Sequence, residues 1–177
     1  NGVVGLVLSN GSLSTTSGGE DVIRKNIVEA DLVEAIVALP AQLFSNTQIP
    51  ACIWVLNKNK THKGKTLFVD TRDVGYMLDR KQKAFSDKDV KSIADTFHNW
   101  RNSSNYEDVV GQYYSATTEE IEKQGYILTP GRYVGVAEDK GDGIPFSVKM
   151  STLTATLSEQ FEESERLEDQ IKNNLAR

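Results

Sequence analysis

Four short apolar runs, each closed by turn-forming residues and interrupted by a single amphipathic helix, constrain the first half of this chain more tightly than any other feature. Residues 3–8, Val-Val-Gly-Leu-Val-Leu, end at Ser9-Asn10-Gly11. A continuous apolar run of that length predicts a strand buried on both faces of a parallel sheet. After the Ser/Thr/Gly-rich stretch 12–19, Glu20 and Asp21 open a segment with Val22, Ile23 and Ile27 at helical spacing. The acids stand where the helix dipole favours them, so a helix of about three turns is expected. Residues 32–39 form a second run closed by Pro40, and residues 51–56 a third closed by Asn57-Lys58-Asn59-Lys60. Residues 66–70 form a fourth, after the basic turn His62-Lys63-Gly64-Lys65. The order β-α-β-β-β predicts an α/β class and the closing portion of a sheet, with 40–50 as a loop.

Beyond Asp73 the composition turns polar and the apolar spacing becomes helical. Ser86-Asp87-Lys88-Asp89 can cap a helix carrying Val90, Ile93, Ala94, Phe97 and Trp100. Thr117-Thr118-Glu119-Glu120 is a capping box for a shorter one. Residues 125–134 read as extended around the Pro130-Gly131 turn, and 139–145 as a Gly/Asp-rich linker. Residues 150–177 form one long helix by pattern. Leu153, Leu157, Phe161, Leu167, Ile171 and Leu175 fall within a stripe about 120° wide at 3.6 residues per turn. Glu159, Glu162, Glu163, Arg166, Asp169 and Lys172 lie opposite.

The 177 residues suit one domain or a small domain with appendages. No run approaches the roughly 18 to 20 apolar residues of a membrane span, so no membrane association is expected. The start Asn1-Gly2-Val3 is neither an initiator methionine nor a charged leader, and the chain reads as a piece of something longer. The lone cysteine, Cys52, sits in an apolar run and is expected to be a buried, inert thiol in a reducing, cytoplasmic compartment. A net charge of −5 argues against this segment gripping DNA by itself, because non-specific affinity comes from neutralising phosphates with Lys and Arg. His62 and His98 have no Cys or carboxylate at metal-ligand spacing and read as surface residues. Gly141-Asp142-Gly143 lacks the strand and helix of a phosphate cradle, and no G-x-S-x-G elbow occurs.

The run Val3-Val4-Gly5-Leu6-Val7-Leu8-Ser9-Asn10-Gly11-Ser12-Leu13 is followed by Ile23-Arg24-Lys25 and Ile36-Val37-Ala38-Leu39-Pro40. Next come Gln42-Leu43-Phe44, Ile49-Pro50-Ala51-Cys52-Ile53-Trp54 and Phe68-Val69-Asp70-Thr71-Arg72. Phe97-His98-Asn99-Trp100-Arg101 and 126–135, Tyr-Ile-Leu-Thr-Pro-Gly-Arg-Tyr-Val-Gly, complete the series. In this order the motifs resemble the post-catalytic half of the modification subunits of type I restriction-modification systems. The resemblance implies the C-terminal part of an S-adenosylmethionine-dependent methyltransferase sheet (1–75), a helical and irregular connector (76–148) and a long C-terminal helix (149–177). It implies DNA adenine-N6 methylation by the intact subunit with S-adenosylmethionine, in a complex with a specificity subunit and a restriction subunit, with DNA reached through the complex. The family's glycine-rich cofactor loop and Asn-Pro-Pro-Phe tetrapeptide are not among these motifs, and Pro40, Pro50, Pro130 and Pro145 are never adjacent. No cofactor binding and no activity are therefore expected of the fragment alone. A non-enzymatic interaction module on an α/β scaffold is the competing reading.

Within that resemblance Phe44 corresponds to an aromatic that stacks on the flipped target base. On residue type alone it is equally an anchor packed on the sheet. Lys58, Lys60, Lys63 and Lys65 are candidate phosphate contacts or a solvated basic turn. Asn10 reads as a turn residue tolerating left-handed geometry, and Arg132-Tyr133 as a structural corner. The stripe Leu153, Leu157, Phe161, Leu167, Ile171 and Leu175 serves either a partner helix or its own domain.

Overall fold

The computed structural model describes residues 2–136 and 146–175. The linker 139–145, with Gly141-Asp142-Gly143, lies outside the described residues. Two compact units divide the chain at Ala137/Glu138. The first contains β1 (Val3–Ser9), α1 (Glu20–Glu29), β2 (Val33–Ala38), β3 (Ala51–Asn57), β4 (Lys65–Asp70), β5 (Tyr76–Met77), β6 (Lys83–Ala84), α2 (Asp87–Arg101), β7 (Tyr113–Thr117) and α3 (Thr118–Lys123). The second is the single helix α4 (Phe146–Leu175).

The main sheet has the order β1-β3-β2-β4-β7, and β5 and β6 form a separate hairpin. β2 and β4 are parallel, whereas β3 runs antiparallel to both β1 and β2, and β7 antiparallel to β4. β2, at the centre, is buried at every position, as its continuous apolar run requires. A bulge between Val33 and Ala35 places Val33 on the same face as Ile36. That face packs with Leu13, Val28, Trp54, Phe68, Ile121 and Leu128. Ala35, Val37 and Leu39 face the other way, onto Leu67, Val69 and Trp100.

Local chemistry sets the helix ends. Ser86 and Asp89 close a reciprocal capping box on α2, and Thr117 and Glu120 another on α3, each satisfying two backbone N–H groups that a helix start leaves open. The buried Arg24 of α1 donates to Ser12 O, Thr15 O and Tyr126 O, tying the β1–α1 loop to the segment after α3. Gly131 lets the Pro130 corner approach the Arg72 guanidinium, since a Cβ there would lie 2.7 Å from Nη2. Tyr133 stacks flat on Phe68, its ring centroid 3.9 Å away, and donates to Ile127 O, while burial pushes its phenol pKa up.

Among the described residues β1 has one partner, β3, antiparallel to it, and all seven of its positions are exposed. Three expectations change. Within the expected helical and irregular connector, residues 113–117 pair with β4 as β7, because Tyr114 and Ala116 face one core and Tyr113 the other. Residues 125–134 are not extended: Gly125 and Tyr126 take positive φ and Pro130–Arg132 form a 3-10 turn. Asn10 begins a 3-10 turn and is not among the positive-φ residues; its buried Oδ1 has no hydrogen-bond partner among the described residues.

Candidate functional site

In an open α/β sheet, ligands meet the crevice outside the carboxyl ends of the parallel strands, where loops leave the sheet. Three such ends lie together here: Ser9 of β1, Ala38 of β2 and Asp70 of β4. Thr71 extends β4 by donating both its N–H and its hydroxyl to Ala38 O, which fixes the β4 exit against the start of the 40–50 loop. Leu39 N–H donates to Ala51 O and closes the loop's base.

Phe44 stands on that loop. Gln42, with φ of 65°, reverses the chain in a conformation that a β-carbon disfavours, and its carbonyl accepts from Lys83 N–H. The reversal packs Leu43 against the core on the β2 face that carries Ala35, Val37 and Leu39, and leaves Phe44 40% exposed. Thr47 N–H returns to Phe44 O in a tight bridge, and Thr47 Oγ1 accepts from Ile49 N–H. Leu43 is the loop's hydrophobic anchor; Phe44 presents an aromatic face at the carboxyl edge.

The four lysines do not join this site. Asn57 at the end of β3 pairs beyond β2's amino end, so Lys58, Lys60, Lys63 and Lys65 cluster at the amino edge of the sheet. A strand of six residues separates the edges by about 20 Å. Lys60 is removed from the phosphate candidates altogether: it is buried, ion-pairs with Asp31, and donates to Val33 O and Lys65 O. Lys63 sits 3.9 Å from Asp31 and donates to Lys58 O; Lys58, Lys63 and Lys65 are exposed. His62, expected as a surface residue, is half-buried, with Nε2 2.6 Å from Trp100 O and its ring tilted on the indole. His98 is exposed as expected.

Sequence reasoning missed the β5–β6 hairpin, which is the second element at the carboxyl edge. Its signal was present in Asp79 followed by Arg80 and Lys81, a turn residue with a basic tip. Among the described residues there is no cluster of His, Cys, Asp and Glu able to hold a metal ion, and no helix long and apolar enough to cross a membrane.

In the second unit every member of the α4 stripe is exposed, from 44% at Leu167 to 82% at Leu175. The Glu163–Arg166 ion pair lines another face of the helix, whereas Glu168, paired with Lys172, falls within the arc of the stripe.

The N-6 DNA Methylase family model matches residues 1–142. The chain is 55% identical to the type I restriction enzyme HindI methylase subunit of Haemophilus influenzae, covering 99% of this chain and 40% of that one. It is 39% identical to the MjaIX methylase subunit of Methanocaldococcus jannaschii, of which it covers 32%. A crystal structure of a type I restriction-modification methyltransferase subunit from Streptococcus thermophilus superposes with a TM-score of 0.68 at 29% identity, over 77% of this chain and 27% of that one. The chain thus spans two fifths or less of the relatives it matches, and by the family model it belongs to the N-6 DNA methylases.

Proposed function

We propose that this chain is the C-terminal portion of a DNA adenine-N6 methyltransferase subunit in a type I restriction-modification complex. It supplies one wall of the target-base pocket and a docking helix for the specificity subunit. The observation that carries the reading is Phe44: an exposed aromatic on a strained loop at the carboxyl edge, with its neighbour Leu43 doing the anchoring. An adenine extruded from the duplex needs a π-face to replace the stacking it loses. In the intact enzyme Phe44→Ala therefore slows methylation about ten- to a hundredfold, the equivalent of about 1 to 3 kcal/mol of stacking, and Phe44→Trp largely restores it. A normal rate for Phe44→Ala in an assembled complex would remove the residue from the pocket.

S-adenosylmethionine would supply the methyl group in the intact subunit. The cavity beside the β4 exit, lined by Asp70, Thr71, Asp89 and Tyr113 among others, holds about 270 Å³ and contains no glycine backbone for close approach. The cofactor belongs to the part of the subunit outside this chain, and the chain alone neither binds it nor methylates DNA. Saturable micromolar binding of S-adenosylmethionine in titration calorimetry would overturn that assignment. Assembly with the specificity subunit rests on α4, and the restriction subunit joins through the same complex.

A further inference from the structure

The hairpin β5–β6 projects beside the Phe44 loop and carries a charge opposite to that of the chain as a whole. Residues 75–84 hold Arg80, Lys81 and Lys83 against one acid, Asp79, in a protein of net charge −5. The acid is turned inward: Asp79 Oδ1 accepts from Lys81 N–H at 2.7 Å and Gln82 N–H at 2.8 Å, while Leu78 N–H donates to Gln82 O. This closes the turn and points its neutralising charge at the backbone rather than at the basic side chains. Arg80 and Lys81 are both exposed, and neither has a carboxylate partner among the described residues. Lys83, by contrast, donates its ammonium to Arg72 O.

The hairpin is held in place, not loose. Tyr76 pairs with Ala84 and Met77 with Lys83, and Lys83 N–H donates to Gln42 O at 2.9 Å, two residues from Phe44. Gly75, with φ of 96°, lets the first strand leave close under Ala84, whose carbonyl would stand 2.6 Å from an added Cβ. The basic tip and the exposed aromatic of the 40–50 loop are therefore coupled through one backbone hydrogen bond.

We infer that the β5–β6 hairpin is a DNA-backbone clamp, with Arg80 and Lys81 contacting duplex phosphates flanking the target adenine. The inference rests on the proposed role of the carboxyl edge and assigns that edge an electrostatic contact it otherwise lacks, since the lysine turn lies at the opposite edge. Phosphate contacts position a protein on the duplex and reveal themselves by counterion release.

The test uses the assembled methyltransferase carrying Arg80→Gln with Lys81→Gln. DNA affinity is measured by anisotropy over a salt series, and the methylation rate at saturating DNA. The clamp predicts that the slope of log affinity against log salt becomes shallower by about two, one for each lost phosphate contact, with the saturated rate unchanged. Arg80→Lys with Lys81→Arg keeps the wild-type slope. An unchanged slope in the glutamine variant overturns the inference. So does loss of subunit assembly, which would make the hairpin a protein contact. Phe44→Ala run in parallel separates the two readings: the base pocket fails if that rate is normal, the clamp fails if the salt slope does not move.

Discussion

The Arg101 guanidinium lies 3.0 Å from Glu34, a carboxylate with no solvent exposure on the central strand of the sheet. That closest contact, Nε to Oε1, is not aligned as a hydrogen bond; Arg101 Nη2 and Asn57 Nδ2 instead donate to Oε2 at 3.2 and 3.1 Å. The pair joins α2 to β2 across the face that carries Ala35 and Val37. Removing one partner of a buried pair leaves the other uncompensated, which costs about 3 to 5 kcal/mol. Arg101→Met is expected near the lower figure, because its side chain keeps 27% exposure. Glu34→Leu combined with Arg101→Met should recover most of the loss. Denaturant midpoints decide it, and a cost below about 1 kcal/mol for Arg101→Met would mean that the pair contributes little.

Lys60 and Lys63 both face Asp31, yet burial separates their roles. The buried Lys60 ammonium has three oxygen partners, whereas Lys63 is exposed and 3.9 Å from Asp31. Lys60→Met is expected to destabilise by about 3 kcal/mol and Lys63→Ala by no more than about 0.5. Equal effects in urea melts would contradict the division of this turn into one structural and three solvated lysines.

Cys52 reports opening of the β1–β3 pair. Its Sγ lies 3.5 Å from Leu8 O and 3.6 Å from Ser12 Oγ, and burial pushes the thiol pKa up despite those contacts. Only the thiolate alkylates, so at pH 8 the native chain should resist iodoacetamide, while unfolded chain reacts at the rate of a free cysteine. Alkylation at equal rates in native buffer and in denaturant would show that β1 does not stay paired.

The central strands were legible because burial on both faces erases alternation and leaves a plain apolar run, as at residues 32–39. Residues 3–8 carry the same signature and do form a strand, but a run of residues carries no information about which neighbours the sheet order supplies. β7 was illegible for the opposite reason. Tyr113, Tyr114 and Ser115 show no clean alternation, and their pairing with Lys65–Asp70 depends on contacts nearly fifty residues away. Phe44 could be picked out by resemblance, but its exposure depends on the left-handed Gln42, which residue type does not announce. Lys60 looked like its neighbours because sequence places four lysines in one turn and says nothing of Asp31 beneath it.

The α4 stripe provides the most direct test of assembly. Leu153, Leu157, Phe161, Leu167, Ile171 and Leu175 are all exposed on a thirty-residue helix that carries the Glu163–Arg166 ion pair on another face. So long an apolar stripe is stable in water only when it is covered, and a helix of the specificity subunit is the partner proposed for it. Each covered leucine or phenylalanine contributes about 1.5 to 3 kcal/mol, and a buried carboxylate would add its own desolvation penalty. Leu157→Asp with Ile171→Asp is therefore expected to abolish capture by the specificity subunit. The far-ultraviolet circular dichroism and melting of the α/β unit should not change. Glu159→Ala with Asp169→Ala, away from the stripe, should leave capture intact. Retained assembly in the aspartate variant, or loss of the α/β fold along with assembly, would show instead that the stripe belongs to its own domain.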